Sequence, residues 1–315
     1  MGAALALSER GRGRTAPNPN VGCVIVNDGR VVGRGWTQPG GRPHAEAMAL
    51  AEAGSAGRGA TAYVTLEPCA VPGRGPACSQ GLVDAGVARV VVAAGDPFPK
   101  VDGAGFRMLE VAGIALTTGL RTAEAERAMA GFLTRQRRGR PLVTLKLATS
   151  LDGCIATAGG ESRWITGAES RAHAHLERAR HEAILVGRGT WELDKPTLDV
   201  RLPGLEERSP RRIVMSTARI SEQGVEWIGA PAEVARLTNV DHLLVEGGAQ
   251  AAASFLAADL VDRLLLYRAP IFIGAGTPAL GDIGLGNLAE AHGRWQLYDA
   301  RMLGSDRVEV YERVR

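Results

Sequence analysis

The sequence predicts two α/β domains in tandem, and three observations support this. Strand-like and helix-like segments alternate along the first half, which is the pattern of layered α/β folds. The basic segment at residues 135–141 closes on glycine and proline, as domain boundaries commonly do, and the alternation restarts after it. A chain of 315 residues is also too long for most single cores. We therefore expect one domain over residues 1–138 and a second over residues 139–315.

In the first domain, residues 21–26 are apolar and β-branched and end at Asn27-Asp28-Gly29, a strong turn signal. Residues 31–35 should then return as the partner strand. Residues 44–53 have helical composition and stop near Gly54. Strands are also expected at 62–66 and 89–94, with a helix at 79–85 between them.

In the second domain, five apolar segments predict strands. They lie at 142–147, 183–186, 212–215, 242–245 and 263–267. A charged segment around 170–180 predicts a helix, and the tail at 295–314 is expected to form a hairpin. Gly247-Gly248, followed by an alanine-rich run to Ala258, completes a strand–turn–helix unit.

Composition limits the classes of function. Apolar residues are 45% and charged residues 23% of the chain, an ordinary globular composition, and the net charge of +3 is too small to indicate a nucleic-acid partner. Four irregularly spaced cysteines do not form a disulfide framework. The apolar start at residues 1–7 lacks a preceding basic region and a cleavage site, and no apolar run reaches the length of a membrane span. We expect a reduced, cytoplasmic protein.

The most informative motif is His44-Ala45-Glu46, followed by Pro68-Cys69 and then Cys78. One imidazole and two thiols supply three zinc ligands, and a catalytic zinc keeps its fourth position open whereas a structural zinc wants four protein ligands. A His-x-Glu with a later Pro-Cys and a second cysteine is the signature of zinc nucleobase deaminases, in which the glutamate moves protons. Scattered core residues are the alternative, and five matched elements in order disfavour it.

The predicted elements suggest how these residues meet. His44 and Glu46 stand in the first turn of their helix, where both side chains can point at one site. Cys69 is expected to begin a helix after Pro68 in the same way, so that the metal would lie at two helix N-termini, where N–H groups favour the thiolate. Cys23, inside a predicted strand, is expected to be a buried core thiol.

Eight residues separate Cys69 from Cys78, whereas nucleoside and tRNA deaminases use Pro-Cys-x-x-Cys. With this longer loop the sequence resembles the riboflavin-biosynthesis bifunctional deaminase–reductase family. The likeness includes residues 13–19 (Gly-Arg-Thr-Ala-Pro-Asn-Pro), 21–26, 44–46 and 66–69 (Leu-Glu-Pro-Cys). It implies a cytidine-deaminase-like zinc domain that deaminates 2,5-diamino-6-ribosylamino-4(3H)-pyrimidinone 5′-phosphate, with Asn18 hydrogen-bonded to the pyrimidine.

Glycine-rich turns after two predicted strands suit phosphate binding at helix N-termini. Glu246-Gly247-Gly248 opens a helix and is the better placed, and Gly187-Arg188-Gly189-Thr190 could join it. On the residues alone, tight turns without a ligand remain an alternative.

The resemblance extends over the second domain through residues 147–153 (Leu-Ala-Thr-Ser-Leu-Asp-Gly), 164–167, 184–187 and 246–248. It implies a dihydrofolate-reductase-like fold that uses NADPH to reduce the ribosyl group of the deaminated product to ribityl. The implied cofactor contacts are Ala148, Trp164, Thr190, Asp194, Thr217, Gly248, Ala249, Gln250, Ala251, Ala252, Ala253 and Ser254. The implied substrate contacts are Ser162, Arg178, Leu198, Arg201 and Glu246.

Several positions depart from the family pattern. Cys154 stands where lysine is common, Lys195 where asparagine or aspartate is usual, and Ala70-Val71 where the family has Ser-His. The departures at Cys154 and Lys195 leave open a monofunctional deaminase with a degenerate second domain. A nucleic-acid deaminase would need a basic surface and the shorter cysteine spacing. The family also tends to form homo-oligomers, which we expect here.

Three histidines, His173, His175 and His181, fall on the charged helix predicted around residues 170–180. Their spacings do not share one helix face. We therefore expect solvated side chains there and no metal site.

Overall fold

The computed structural model describes residues 1–72, 75–98, 103–218 and 222–315. The chain divides into two compact units, Met1–Gly139 and Arg140–Arg315. Both contain a sheet with helices. Within the described ranges no helix is long and apolar enough to cross a membrane.

The first unit is built on a five-stranded sheet in the order β2-β1-β3-β4-β5. Strand β1 is antiparallel to β2 and β3, whereas β3, β4 and β5 are parallel. The strands are β1 (Gly22–Asn27), β2 (Arg30–Trp36), β3 (Thr61–Leu66), β4 (Arg89–Ala94) and β5 (Ala115–Thr118). The helices are α1 (Gly2–Ser8), α2 (Ala45–Ala53), α3 (Cys78–Asp84), α4 (Ala104–Val111), α5 (Thr122–Ala128) and α6 (Ala130–Arg138).

The backbone of helix α2 packs directly against the backbone of strand β2. A Cβ added to Gly35 would lie 1.9 Å from the carbonyl oxygen of Ala45, and one added to Gly33 would lie 2.1 Å from that of Ala49. Such distances leave no room for a side chain at either of these two positions of the strand. Because α2 begins next to His44, this close contact fixes the position of the predicted metal ligand and of Glu46.

We predict that Gly35→Ala lowers the free energy of unfolding by at least about 2 kcal/mol, since the new methyl group would have to displace helix backbone. Gly57→Ala is the matched control, because its added Cβ would meet only side-chain atoms at 3.8 and 3.9 Å. Urea denaturation of both variants measures the difference. Equal stabilities would contradict the proposed contact.

The second unit contains an eight-stranded sheet in the order β10-β9-β8-β11-β6-β12-β15-β14. The first six strands in this order are parallel, and β15 and β14 continue the sheet antiparallel. These strands are β6 (Leu142–Thr149), β8 (Ala183–Gly187), β9 (Arg211–Met215), β10 (Val225–Ile228), β11 (His242–Val245), β12 (Arg263–Arg268), β14 (Trp295–Leu303) and β15 (Asp306–Arg313). A small antiparallel pair joins β7 (Cys154–Ala156) to β13 (Thr277–Pro278). The helices are α7 (Ala168–Arg178), α8 (Arg188–Asp194) and α9 (Ala249–Ala257).

The central parallel strands are buried on both faces, as parallel sheets require. Leu185 and Leu243 pack with Phe255 of α9 in one cluster. Ile184 and Leu244 belong to a separate cluster. Because neighbours along one strand point to opposite faces, the two clusters cover the two sides of the sheet.

The strands and helices predicted from the sequence are confirmed to within a few residues, including the terminal hairpin of β14 and β15. Helices α1, α4, α5, α6 and α8, the strands β5 and β10, and the short β7–β13 pair were not predicted. The β5 sequence Ala-Leu-Thr-Thr is only four residues long and mostly exposed, so it lacks the apolar pattern that identified the other strands.

The prediction of solvated histidines is wrong for His181, and His173 and His175 are only partly exposed. His181 lies beyond the end of α7 and is 1% exposed, with its Nε2 3.0 Å from the Thr144 hydroxyl. His173 is partly buried, and its Nδ1 lies 2.7 Å from the Tyr267 hydroxyl. Both rings lie within hydrogen-bonding distance of residues of the sheet, Thr144 of β6 and Tyr267 of β12, whose positions the sequence alone could not give.

Glu182 is a largely buried carboxylate that accepts hydrogen bonds from the backbone N–H groups of Asp241 and His242, at 3.3 and 2.8 Å. Burial raises the pKa of Glu182 from 4.5 to about 7, and the Asp241 carboxylate acts in the same direction. The folded state therefore favours the protonated form. The contribution of the Glu182 carboxyl group to the free energy of unfolding is fully present below pH 4.5 and is lost as the pH rises through about 7.

We predict that Glu182→Gln, which keeps an acceptor but cannot ionise, removes this pH dependence. Relative to the variant, the wild-type protein should lose up to about 3 kcal/mol of unfolding free energy between pH 4.5 and 8. Urea denaturation followed by fluorescence suits the test, since four of the five tryptophans belong to the second unit. A difference that is the same at both pH values would contradict the prediction.

Candidate functional site

The structure brings the three predicted metal ligands together. Their ligand atoms all lie within 4.8 Å of one another. His44 Nδ1 is 3.3 Å from Cys78 Sγ and 3.6 Å from Cys69 Sγ. A tetrahedral zinc ion with ordinary bond lengths would separate a nitrogen and a sulfur ligand by about 3.6 Å. The donor set and its spacing therefore fit zinc.

Each ligand has a different local support. His44 is the N-cap of α2, and Cys78 is the first residue of α3. Cys69 lies in an irregular segment after β3, so the expectation that it begins a helix is wrong. The Cys78 N–H donates to Cys69 Sγ at 3.3 Å, and the Ser79 hydroxyl donates to the Cys69 carbonyl at 2.9 Å. The second helix N-terminus at the site thus comes from Cys78.

The two thiols share one proton. A hydrogen bond from the Cys78 thiol lowers the pKa of Cys69 to about 4, and the same bond raises the pKa of Cys78. The Cys69 side chain in turn raises the pKa of His44. Since zinc binds thiolates and neutral imidazole, it would replace this shared proton at the site.

Glu46 lies in the first turn of α2 and is 3% exposed. Burial raises the pKa of its carboxyl group to about 7, although the neighbouring His44 acts in the opposite direction. A buried carboxyl group beside the ligands, with a pKa near neutrality, can both take and give a proton. This is what a general acid–base group requires.

A cavity of about 360 Å³, here called the metal cavity, opens onto these residues. His44, Glu46 and Cys69 line it together with Asn18, whose amide nitrogen donates to the Gly41 carbonyl at 2.8 Å. Other lining residues come from several elements of the first unit: Thr37, Arg42, Glu67, Val71, Asp96, Phe98, Phe132 and Gln136.

Glu67 is a further residue of the site, for which the motif at residues 66–69 predicted no role. Its carboxylate is 3% exposed and accepts three backbone N–H groups, from Asp96 at 3.3 Å, Gly103 at 3.1 Å and Gly105 at 2.9 Å. It thereby holds the residues after β4 and the start of α4 next to the metal ligands. A glutamate at the end of a buried strand, immediately before Pro-Cys, was the available signal.

In the second unit, the predicted contacts gather at one edge of the sheet. Ala148 is the second-last residue of β6, Gly187 is the last residue of β8, Thr217 follows β9 and Glu246 follows β11. These strands are parallel, so their carboxyl ends meet at the same edge. Ligands of open α/β sheets bind at this edge.

Helix α9 offers its first turn to such a ligand. Gly248 is its N-cap, and no side chain caps the turn. A Cβ on Gly247 would lie 2.5 Å from that of Ala251, so the glycine lets the helix start close to the end of β11. The side chains of Ala251, Ala252 and Ala253 are buried, and any contact they make with a cofactor is through the main chain. Ser254 donates its hydroxyl to the Gln250 carbonyl.

The other predicted cofactor residues lie on α8 and a neighbouring loop. Thr190 and Asp194 belong to α8, and the Thr190 hydroxyl lies 3.5 Å from where a Cβ on Gly248 would stand. Arg163 donates to the Asp194 carbonyl at 3.1 Å. Trp164 is 64% exposed, so much of its indole is open to a ligand, although the Arg171 guanidinium lies over the ring at 4.8 Å from its centroid.

Arg178 and Glu246, both predicted to contact substrate, form an ion pair. The guanidinium donates to the two carboxylate oxygens at 2.8 and 2.9 Å, and Lys146 Nζ lies 3.9 Å away from the same carboxylate. Burial alone would raise the pKa of Glu246, but Lys146 and Arg178 hold it at about 2. Glu246 is therefore ionised at neutral pH. Lys146 was not singled out, although a lone lysine in an apolar strand was the signal.

The remaining predicted substrate residues differ in exposure. Arg201 is more than half exposed, and its Nε lies 3.5 Å from the Asp199 carboxylate. Ser162 is exposed in an irregular segment. Leu198 has a positive φ of 57°, unusual for a branched residue, and its side chain is buried in the core beside Val214. Any contact of Leu198 with substrate is therefore through its main chain.

The two substitutions behind the degenerate-domain alternative lie in different surroundings. Cys154 is buried in the β7–β13 pair, with its sulfur 3.6 Å from the Gly274 carbonyl oxygen. Lys195 is the C-cap of α8, with a φ of 42°. The Cys154 side chain thus has a packing role of its own.

Two sequence-family profiles match the chain. The cytidine and deoxycytidylate deaminase zinc-binding region matches residues 1–94, which include all the predicted metal ligands and Glu46. The RibD C-terminal domain matches residues 141–308. Both halves of the predicted fold class are confirmed by these matches.

Full-length relatives show the same arrangement. Riboflavin biosynthesis protein RibD of Escherichia coli is 41% identical over 97% of this chain and 96% of its own length. RibD of Mycobacterium tuberculosis is 39% identical, over 97% and 94%. The structure of Acinetobacter baumannii RibD aligns with a TM-score of 0.88 at 35% identity, covering 100% of this chain and 98% of that one. A Thermotoga maritima diaminohydroxyphosphoribosylaminopyrimidine deaminase/5-amino-6-(5-phosphoribosylamino)uracil reductase aligns with a TM-score of 0.88 at 30% identity, covering 100% and 97%.

Proposed function

The chain belongs to the RibD family of riboflavin biosynthesis proteins, and from this premise we propose how its residues divide two reactions between its two units. The enzyme deaminates 2,5-diamino-6-ribosylamino-4(3H)-pyrimidinone 5′-phosphate and then reduces 5-amino-6-(5-phosphoribosylamino)uracil to its ribityl form. The observation that carries the assignment of residues is the cluster of His44, Cys69 and Cys78 beside the buried Glu46. We assign deamination to residues 1–138 and reduction to residues 139–315.

In the deaminase half, His44, Cys69 and Cys78 hold zinc, which when bound is a Lewis acid that makes water nucleophilic at neutral pH. Deamination consumes one water, replaces the exocyclic amino group by a carbonyl oxygen and releases ammonia. Glu46 takes a proton from the water and delivers protons to the ring nitrogen and the departing ammonia. Asn18 orients the pyrimidine from the wall of the metal cavity.

In the reductase half, NADPH supplies the hydride and the protein supplies position and electrostatics. The uncapped first turn of α9 offers N–H groups to a cofactor phosphate. The remaining contacts with the cofactor come from Trp164, Thr190, Asp194 and Thr217. Arg201 binds the substrate phosphate, while Arg178 and Lys146 keep Glu246 charged and fixed toward the substrate.

We also propose a cytoplasmic, homo-oligomeric enzyme, on the sequence expectations given above. Its substrates are small molecules, and neither a membrane nor a nucleic acid takes part in either reaction.

Glu46→Gln tests the proton-transfer role. The amide keeps the shape of the side chain but cannot carry a proton, so we predict a loss of deamination of at least about a hundredfold. Zinc content measured by elemental analysis should stay at the wild-type value, because Glu46 is not a ligand. Cys78→Ser is the matched control and should lose the metal. Loss of zinc from the glutamine variant would sink the assigned role.

Oxidation of NADPH by the purified protein, given the deaminated uracil substrate directly, tests the reductase half. We predict turnover by the wild-type enzyme and a rise of about tenfold or more in the KM for that substrate in Arg201→Gln, since a charge-assisted hydrogen bond is lost. The KM for NADPH and the melting temperature should not change. Arg236→Gln, at a side chain that is 80% exposed, is the control. No oxidation by a preparation active in deamination would refute the bifunctional assignment.

A further inference from the structure

The metal ligands lie between two cavities. The first is the metal cavity. The second, a space of about 340 Å³ here called the side groove, opens onto His44 and Cys78. Only two residues, Arg42 and His44, line both spaces among the residues that the structure describes. Arg42, two positions before the N-cap of α2, therefore borders both cavities.

The two cavities differ in charge. Three carboxylate side chains, Glu46, Glu67 and Asp96, line the metal cavity. The described lining of the side groove contains no carboxylate; it is apolar, with Ala47, Leu50 and Pro76, apart from Arg42 and the two metal ligands. A dianionic group is repelled by the first surface and tolerated by the second. An amino-substituted ring suits the carboxylate-lined space.

Arg42 is free to bind an anion. In the described part of the chain no hydrogen bond or ion pair engages its guanidinium, in contrast to Arg34, which pairs with Glu52 at 3.0 Å. Arg42 is also the one arginine or lysine among the described residues that line the metal cavity. A guanidinium can donate two parallel hydrogen bonds to a phosphate.

We propose that Arg42 is the phosphate anchor of the deaminase site, and that the substrate's 5′-phosphate extends past it into the side groove while the ring occupies the metal cavity. The inference rests on the deaminase function proposed above and adds the determinant of its substrate specificity. Arg42 would select the phosphorylated pyrimidine over the same compound without phosphate. It takes no part in the chemical step.

The test compares deamination of the phosphorylated substrate with that of its dephosphorylated counterpart, for wild type and Arg42→Gln. We expect the wild-type enzyme to prefer the phosphorylated compound. The variant should lose about tenfold to a hundredfold in kcat/KM for that compound, mainly through KM, and change little toward the other. Arg42→Lys should restore part of the preference, because it keeps the charge but not the planar fork. Arg30→Gln, at an exposed hairpin residue, removes the same charge outside both cavities.

A second pair of variants adds a charge instead of removing one. Ala47→Glu places a carboxylate in the side groove and should weaken turnover of the phosphorylated compound selectively, whereas Ala51→Glu, exposed on the same helix and outside both cavities, should not. Equal losses on both compounds in Arg42→Gln overturn the inference. So does a phosphate-specific loss in Arg74→Gln, a residue outside the described ranges, without one in Arg42→Gln. A wild-type enzyme inactive on both compounds would refute the deaminase function itself.

Discussion

The contact between α2 and β2 is the constraint on which the first site depends. Gly33 and Gly35 leave the strand surface bare, so the backbone of α2 at Ala45 and Ala49 rests directly on it. This contact sets the position of the helix start, and hence of His44 and Glu46, relative to the sheet. The end of β3 then brings Glu67 and Cys69 to the same place. A shift of the helix by one ångström would move His44 and Glu46 away from Cys69 and Cys78, and active sites tolerate such shifts poorly.

The ionisable side chains of the two sites behave in opposite ways. In the first, buried groups share protons: Cys69 and Cys78 hold one between them, and burial brings the pKa of Glu46 to about 7. A site of this kind is ready to exchange protons and to bind a cation. In the second, Glu246 is fixed as an anion by Arg178 and Lys146, with its pKa at about 2. That carboxylate orients other groups and does not titrate near neutral pH.

The second site uses the geometry of a parallel sheet. Because β6, β8, β9 and β11 run in the same direction, the residues that follow their carboxyl ends collect at one edge. Glycines at the ends of β8 and β11 allow the first turn of α9 to approach. The second unit therefore offers a row of strand ends, whereas the first unit offers a cavity of about 360 Å³.

The sequence by itself determined the two-domain α/β organisation, most of the strands and the three candidate metal ligands, because these depend on local patterns and on motifs of short range. It could not determine that the segment at Cys69 is irregular, since an irregular segment and a helix start look alike after proline. The ion pair of Arg178 with Glu246 joins residues 68 positions apart, and the hydrogen bonds of Glu67 reach 38 positions along the chain. Arg42 borders both cavities only because two loops and a helix come together in the folded chain. Pairings over such distances are decided by the packing of whole elements, so only the tertiary structure could reveal them.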